Sequence, residues 1–391
     1  MSIYARRGVS AQKEEVHQAI RQLDPGLFPL AFCKMYPDFM GGDKEFVNIM
    51  HADGAGTKSI LAYLYWKETG DVSVWKGIAR DAVAMNLDDL LCVGVTDNLL
   101  FSSTIDRNKL LINGEVLEAV IEGTREYFAL LAEYGIHIQY LGGETADVGD
   151  VVRTIAVNGT MMARWPKQKI ISNQNIKAGQ VIVGLASFGT CAYEPDYNSG
   201  LGSNGLTSAR HDVLSKHYAT TYPESFEPGL SEEVVYVGHH RLTDNFTVNG
   251  ATHTIGQLLL SPTRTYAPVI RQLLQEYPDA VMGMIHCSGG GQTKCMKYLP
   301  SAMHLVKDNL YAPPPIFQLI QENSGADDRE MYQVFNMGHR MEIFTDESHA
   351  QKIIDLAAQF GVDARVVGKV LPSQKKELTL QLPGKSIYFE Y

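Results

Sequence analysis

The sequence predicts two domains that each contain helices and strands. The chain has 391 residues, about twice the size of an average domain. Hydrophobic residues make up 45% and charged residues 20%, enough for ordinary buried cores. A polar, basic stretch at residues 164–179 separates two regions with helix and strand patterns. We therefore expect an N-terminal domain over residues 1–170 and a C-terminal domain over residues 171–391.

In the N-terminal half, residues 1–45 mix charges, prolines and glycines, which is typical of a loosely structured segment. Apolar periodicity then predicts strands and helices in turn. Strands are expected at residues 46–51, 136–141 and 151–162, and helices at residues 77–91 and 115–133.

In the C-terminal half, the pattern is clear except at residues 211–256. That stretch holds five histidines. A metal site is possible, but a solvated surface insertion is favoured, because metal ligands converge from spaced positions on a scaffold. Strands are expected at residues 181–186, 281–286 and 364–370, and helices from Leu206, at residues 262–275 and at residues 350–360.

Charge and cysteine content indicate the cellular setting. The net charge of −10 argues against a nucleic-acid partner, which usually requires a basic face. No apolar run is long enough to span a membrane, and the N-terminus lacks the apolar core of a signal peptide. Five cysteines without a CxxC pair predict reduced thiols in the cytoplasm. Among them, Cys287 is either a reactive thiol or, as we favour, a small buried one.

The motif DGAGTK at residues 53–58 has the composition of a magnesium–phosphate site. Glycines let phosphate approach backbone N–H groups, Asp53 suits Mg²⁺, and Lys58 suits phosphate charge. The spacing differs from that of a Walker A loop. A tight turn followed by a surface lysine fits the motif alone equally well.

The segment DAVAMNLDDL places acidic side chains on a predicted helix. Asp81 and Asp88 are two turns apart and share a face, and Asp89 lies about 80° further round. Buried carboxylates are costly unless they bind metal or are paired, and hard oxygen ligands suit Mg²⁺. The alternative is a solvated acidic edge.

Three further glycine-rich segments carry polar partners. GGETAD at residues 142–147 contains Glu144, a candidate for metal or a substrate hydroxyl, and HCSGGG at residues 286–291 begins with His286, a candidate acid or base. An acidic turn and a structural histidine are the respective alternatives. The GxGxxG pattern at residues 200–205 does not directly follow a strand, so a dinucleotide fingerprint is disfavoured. Its SNG part is better interpreted as a helix N-cap with free N–H groups for an anion.

Together the motifs resemble the phosphoribosylformylglycinamidine cyclo-ligase family, also called aminoimidazole ribonucleotide synthetase. The resemblance covers about residues 46–370. The matching motifs are DGAGTK at 53–58, DAVAMNLDDL at 81–90, GGETAD at 142–147, SNGLTSAR at 203–210, LSPTRTY at 260–266, HCSGGG at 286–291 and FNMGHRM at 335–341.

This resemblance implies two α+β domains in a homodimer, with strands from both N-terminal domains closing a β-barrel and active sites at the interface. It implies ATP-dependent ring closure of formylglycinamidine ribonucleotide to aminoimidazole ribonucleotide, with Mg²⁺ as cofactor. Carried over by position, the metal ligands are Asp53, Asp81 and Asp89, and the catalytic residues are Lys58, Asp89 and His286. The implied ATP and phosphate ligands are Gly54, Gly56, Thr57, Lys58, Glu144, Ser203, Asn204, Gly205, Gly289 and Gly290.

The sequence departs from the family pattern at a few positions. Asp88 replaces an asparagine, His339-Arg340 replaces Val-Gly, and Gln292 replaces a phenylalanine. Residues 190–202 and 217–256 look inserted. We expect these changes to affect the substrate pocket more than the fold.

Two other functions remain open. One is a related ATP enzyme: thiamine-monophosphate kinase, selenophosphate synthetase or a hydrogenase-maturation enzyme. Cys33 lacks the glycine-rich setting of the selenophosphate synthetase nucleophile, and the chain ends YFEY rather than in a cysteine. The other is a non-catalytic nucleotide-binding regulator, against which the retained Asp53, Lys58, Asp89 and His286 argue.

Overall fold

The computed structural model describes residues 3–10, 14–19 and 22–391, which form two main β-sheets with helices packed against them. The helices are α1 (Ile3–Arg6), α2 (Glu14–Ala19), α3 (Lys58–Thr69), α4 (Val74–Leu91), α5 (Gly114–Glu133), α6 (Leu206–Val213), α7 (His217–Thr221), α8 (Ile255–Leu259), α9 (Ala267–Glu276), α10 (Pro315–Ser324), α11 (Asp328–Val334) and α12 (Glu347–Gln359). The strands are β1 (Met35–Pro37), β2 (Phe46–Gly54), β3 (Leu99–Arg107), β4 (Ile138–Asp147), β5 (Ile155–Pro166), β6 (Val181–Ala186), β7 (Gly189–Cys191), β8 (Glu194–Asn198), β9 (Asn245–Val248), β10 (Ala251–Thr254), β11 (Gly283–His286), β12 (Met303–Lys307), β13 (His339–Thr345), β14 (Ala364–Pro372), β15 (Lys376–Leu382) and β16 (Lys385–Glu390).

The N-terminal sheet has five strands in the order β1-β2-β5-β3-β4. β5 pairs antiparallel with β2 and β3, and β3 pairs parallel with β4. Side chains along β5 alternate between buried and more exposed positions, because successive residues of a strand point to opposite faces. α4 packs against β2 and β5, and α5 packs against α4. Across the described residues no sheet closes on itself, so the single chain carries an open sheet and not a barrel.

The C-terminal sheet has seven strands in the order β11-β13-β6-β14-β12-β15-β16. All neighbours pair antiparallel except β12 and β15. β6 is apolar and mostly buried because both faces of the sheet are covered. Ile182 belongs to one hydrophobic cluster and the adjacent Val183 to the other. The predicted combination of helices and strands in both halves is therefore confirmed.

Most predicted elements are present with small shifts at their ends. The predicted strand 181–186 coincides with β6, and the predicted helices 77–91 and 115–133 lie within α4 and α5. The predicted strand 151–162 begins only at Ile155, because Val148 accepts hydrogen bonds from Val151 and Val152 in a turn. Helix α3 and strand β3 were not predicted.

The interpretation of GGETAD as a loop after a strand is wrong. β4 continues through it to Asp147 and pairs with β3 across a register shift. Gly143 makes this possible, since its φ is +151° and a Cβ there would lie 1.8 Å from the carbonyl oxygen of Ser103.

The predicted helix 262–275 is also wrong over its first turn, since α9 begins at Ala267. The preceding residues lie outside the helix, and two of their backbone N–H groups bond to side chains of α4. Thr263 donates to Asp81 at 2.7 Å and Tyr266 donates to Asp88 at 3.3 Å.

The regions with weak patterns contain short elements. In residues 1–45, positions 1–2, 11–13 and 20–21 lie outside the described residues, and the rest contains α1, α2 and β1 joined by turns. Residues 190–202 contain most of the β7–β8 hairpin, which runs from Gly189 to Asn198. The histidine-containing stretch is not wholly solvated, because His211 is fully buried. Within the described ranges, no helix is long and apolar enough to cross a membrane.

Candidate functional site

The two halves of the chain meet along one face of α4. Asp81 and Asp88, which share this face as predicted, are both fully buried. Asp81 accepts from the backbone of Thr263, and Asp88 accepts from the Thr265 hydroxyl at 2.5 Å and from the backbone of Tyr266. The non-helical segment before α9 therefore binds both carboxylates, and the alternative of a solvated acidic edge is wrong.

Lys58 is buried beside Asp81 and is not on the surface. Its Nζ lies 2.9 Å from Asp81 Oδ1 and donates to the carbonyl of Ser261 at 2.6 Å. Burial lowers the pKa of Lys58, although Asp81 opposes this shift. The simple turn with a surface lysine is thus excluded. Oδ2 of Asp81 is buried and has no hydrogen-bond partner among the described residues, so a metal contact at that oxygen would leave the ion pair intact.

Asp89 lies between two histidines. Its Oδ1 is 2.6 Å from Nδ1 of His286, and its Oδ2 is 3.0 Å from Nε2 of His51. Burial would raise the pKa of Asp89, but the hydrogen bonds from His286 and His51 hold it well below its ordinary value. For His51, burial lowers the pKa, but Asp89, Asp53 and Asn86 together raise it more, so the net pKa is raised. The arrangement keeps Asp89 ionised.

His51 was missed by the sequence interpretation. The available signal was its position two residues before Asp53, on the strand that delivers the DGAGTK loop. Nδ1 of His51 also lies 3.2 Å from the side-chain oxygen of Asn86. Because Asn86 and Asp89 both belong to α4, His51 is held against that helix by two of its side chains.

Asp53 lies at the end of β2, partly exposed. Its Oδ1 accepts from the N–H of Gly54 at 2.7 Å, and its carbonyl accepts from the side chain of Asn86 at 3.1 Å. The three aspartates predicted to bind metal thus have separate partners. Among the residues that the structure describes, no group of three or more His, Cys, Asp or Glu side chains is arranged to hold a metal ion. Their assignment as a metal set stays a prediction.

The structure brings together the two loops predicted to bind phosphate. Thr57 Oγ1 lies 2.9 Å from Thr207 Oγ1, which belongs to α6, and Ser203 Oγ lies 2.8 Å from Thr263 Oγ1. The first loop leads directly into α3, and the second into α6. Two helices therefore begin near this contact, and helix N-termini favour bound anions.

The predicted N-cap of α6 is wrong in detail. Gly205 occupies the cap position with φ +79°, and its helix has no side-chain cap hydrogen bond. A Cβ on Gly205 would lie 2.3 Å from the ring of Phe335, so only glycine fits there. The loop that contains Ser203 and Asn204 is positioned by this contact and not by a capping hydroxyl.

Glu144 is aligned with Gly54 of the DGAGTK loop across the sheet, but two strands separate them. Gly54 pairs with Asn158, Asn158 with Thr104, and Thr104 with Glu144. Three strand spacings separate Gly54 from Glu144, or about 14 Å. Glu144 is exposed and accepts from the N–H of Thr145. Within one chain, Glu144 is not brought to the other predicted site residues.

The loop after β11 connects His286 to the two glycines predicted to bind phosphate. Gly289 and Gly290 are partly exposed, and Gly290 has φ +99° at the start of a 3₁₀ helix. Lys294 donates to Ser288 at 2.6 Å, which places a cation over this loop. Lys294 also acts on Asp89, whose pKa it lowers further.

Nε2 of His286 is buried and has no hydrogen-bond partner among the described residues.

Cys287, next to His286, is buried as a free thiol, and burial raises its pKa well above the usual range. A raised pKa leaves little thiolate, so the reactive interpretation of Cys287 is not supported.

Two of the departures from the family pattern point into the core and not into the loops. Gln292 is fully buried and donates to the carbonyls of Asn336 and His339. His339 is 2.9 Å from Glu342, which also pairs with Lys307 at 2.5 Å. The expectation that these side chains shape the substrate pocket is wrong for Gln292 and His339, because they satisfy one another inside the C-terminal domain.

The inserted hairpin supplies a counter-charge to the LSPTRTY motif. Arg264 is almost fully buried, and its Nε lies 2.8 Å from Glu194 of β8. Its other nitrogens donate to three backbone carbonyls, those of Ala186, Phe188 and Gly189. This network ties the insertion to the segment that binds Asp81 and Asp88.

Two family models match the chain in succession. Residues 41–165 match AIR synthase related protein, N-terminal domain, and residues 177–381 match AIR synthase related protein, C-terminal domain. Similar curated proteins are named phosphoribosylformylglycinamidine cyclo-ligase. The one from Methanocaldococcus jannaschii is 29% identical over 329 residues, which is 84% of this chain and 79% of the relative. The one from Methanococcoides burtonii is 26% identical over 379 residues, which is 95% of each chain.

Solved structures share the fold at low sequence identity. A chain in the crystal structure of the HypE-HypF complex has a TM-score of 0.56 at 15% identity, with 97% of this chain and 99% of that chain covered. AaThiL complexed with AMPPCP and TMP has a TM-score of 0.54 at 9% identity, with 96% and 94% covered. T. maritima PurL complexed with FGAR has a TM-score of 0.53 at 12% identity; the match covers 89% of this chain but 46% of that one, so this chain spans about half of PurL.

These likenesses show the two-domain fold with mixed helices and strands. The two matching models together cover most of the chain and fall on either side of the polar stretch predicted to separate the domains. The chain therefore belongs to the AIR synthase related protein family.

Proposed function

We propose that this chain is a ligase that converts formylglycinamidine ribonucleotide to aminoimidazole ribonucleotide in purine biosynthesis, with ATP as the phosphate donor. The observation that carries the proposal is the contact of the DGAGTK loop with the start of α6, directly after the SNG loop, together with the buried Asp89–His286 pair on α4. Curated relatives of this chain bear the name of that cyclo-ligase.

The chemistry requires positioning and charge neutralisation more than covalent catalysis. The formyl amide oxygen is a poor leaving group until it is phosphorylated. The amidine-side nitrogen then attacks that carbon, and phosphate leaves. The backbone N–H groups at the starts of α3 and α6 would hold the transferred phosphate. Nε2 of His286 is the atom that would stabilise the transferring oxygen or move a proton, while Asp89 orients the ring.

Mg²⁺ fits this site best at Asp53. Mg²⁺ usually binds one or two carboxylates together with substrate phosphates, and it neutralises phosphate charge in the reaction. Asp53 is partly exposed at the end of β2, next to the phosphate loop. Both oxygens of Asp89 already face histidines, and Asp81 is fully buried beside the Lys58 cation with only its Oδ2 unpartnered among the described residues.

A homodimer is part of the proposal. Met50 on β2 and Leu141 on the edge strand β4 are more than 60% exposed, and the sheet is open. Covering this apolar face with a second copy would bury it. In such a dimer, Glu144 of one subunit would reach the site residues of the other subunit, which it does not reach within its own chain.

We propose a cytoplasmic location, consistent with five free cysteines.

The test is to incubate the purified chain with formylglycinamidine ribonucleotide, ATP and Mg²⁺ and to measure ADP and aminoimidazole ribonucleotide. We expect both products in equal amounts. A reaction without the ribonucleotide is the control, and ADP release no greater than in that control would refute the proposal. Nucleotide binding without turnover would instead favour a regulatory protein.

A further inference from the structure

The N-terminal segment is anchored to the helix that follows the SNG loop. The guanidinium of Arg7 is buried, and Nη1 lies 2.5 Å from Oδ1 of Asp212. Nη1 also lies 3.2 Å from the carbonyl of Ser208, and Nε donates to the carbonyl of Val234 at 2.9 Å. Ser208 and Asp212 are one turn apart on α6, so the Arg7 side chain binds two successive turns on one face of that helix.

The residue next to this anchor on α6 contacts the candidate nucleotide site. Thr207, adjacent to Ser208 on α6, makes the contact with Thr57 of the DGAGTK loop. Tyr4 and Phe335 line one small cavity together with Ser208 and Asp212 of α6. The Phe335 ring is also the group against which Gly205 packs.

We propose that Arg7 is a positioning residue for the nucleotide site, acting through α6. This inference rests on the proposed function. When Arg7 is docked, α6 is held between the N-terminal segment and the DGAGTK loop, which sets the distance between the two phosphate-binding loops. Charge-assisted hydrogen bonds of a buried arginine suit this role, because they have defined geometry and are not weakened by solvent.

The neighbouring arginine provides a matched control. Arg6 pairs with Glu233 at 3.0 Å, but both side chains are exposed, at 41% and 80%. A surface pair of this kind contributes little to structure. Arg6→Met and Arg7→Met remove the same charge from adjacent positions of the same segment, but Arg7 bonds to α6 whereas Arg6 bonds to Glu233.

The experiment measures binding of a non-hydrolysable ATP analogue with Mg²⁺ by calorimetry in the full chain, and KM for each substrate in turnover. Arg7→Met should weaken analogue binding and raise KM for ATP by about tenfold, with KM for the ribonucleotide unchanged. Arg7→Lys, which keeps the charge facing Asp212, should restore part of the affinity. Arg6→Met should match the wild type.

Equal analogue affinities for Arg7→Met and Arg6→Met would overturn the inference. If Arg7→Met does not fold, the analogue affinity of Arg7→Lys becomes the test. Wild-type affinity in Arg7→Lys would also overturn the inference. A wild-type chain without measurable affinity for the analogue would refute the proposed function itself, and the inference with it, so the two failures are distinguishable.

Discussion

Arg340 and Asp88 form a buried ion pair between the two halves of the chain. Nη2 of Arg340 lies 3.3 Å from Oδ2 of Asp88, and neither residue is more than 2% exposed. These are two of the positions at which the sequence departs from the family pattern, which has Asn and Gly there. The departures compensate each other, because Arg340 supplies the counter-charge that a carboxylate needs at a buried position.

The first prediction is that the two positions are energetically coupled. Arg340→Met should destabilise the chain by about 3 kcal/mol, because it leaves the Asp88 carboxylate buried without its counter-charge. The double variant Asp88→Asn with Arg340→Met should lose less than the sum of the two single variants. Urea unfolding of the four proteins measures the coupling. Strict additivity of the two free-energy changes would contradict it.

The second prediction concerns Asp53. Asp53→Asn should reduce Mg²⁺-dependent turnover by about 100-fold or more, because it removes the carboxylate proposed to hold the metal. The fold should persist, since an amide oxygen can still accept from Gly54. Steady-state kinetics and thermal unfolding measure the two effects. Turnover at the wild-type rate would remove Asp53 from the metal site.

The third prediction tests the histidine that sequence reasoning missed. His51→Gln should lower kcat by about tenfold, because Asp89 would lose the histidine partner at Oδ2 and orient His286 less firmly. His137→Gln is the matched control, since His137 pairs with Asp97 but its side chain is 58% exposed. Comparable kcat values for the two variants would show that His51 has no such role.

The fourth prediction is a pH dependence of stability from Glu342. Burial would raise the pKa of Glu342, but Lys307 and His339 lower it to about 2, below its ordinary 4.5. A lowered folded-state pKa means that the ion pairs of Glu342 stabilise the fold above pH 4.5 and lose this effect as the pH falls towards 2. The difference in unfolding free energy between wild type and Glu342→Gln should therefore shrink between pH 6 and pH 3. A difference that stays constant with pH would contradict the assignment.

The fifth prediction concerns the open sheet. Leu141→Arg should convert the proposed dimer to a monomer, because it places a charge on the exposed edge strand that a second copy would cover. Tyr391→Arg, at an exposed position of the C-terminal domain, should leave the mass unchanged. Light scattering measures the mass. A monomeric wild type would contradict the proposed dimer directly.

Much of the fold could be predicted because the relevant signals are local. β6 has a continuous apolar run typical of a strand buried on both faces, and α5 has apolar residues at helical spacing. The errors occurred where distant contacts override local pattern. The GGETAD segment continues as a strand because β3 is beside it. The start of the predicted helix 262–275 is not helical because Asp81 and Asp88 bind its backbone N–H groups.

The sequence by itself determined the family, the approximate elements and the residue types of the site, because these lie in short contiguous motifs. Only the tertiary structure decided how those residues are paired: Lys58 with Asp81, Asp89 with two histidines, and Asp88 with Arg340, 252 positions away in the chain. The physical reason is that a buried charge takes its partner from whichever element packs against it. That partner depends on how the two halves meet along α4, and not on neighbours in sequence.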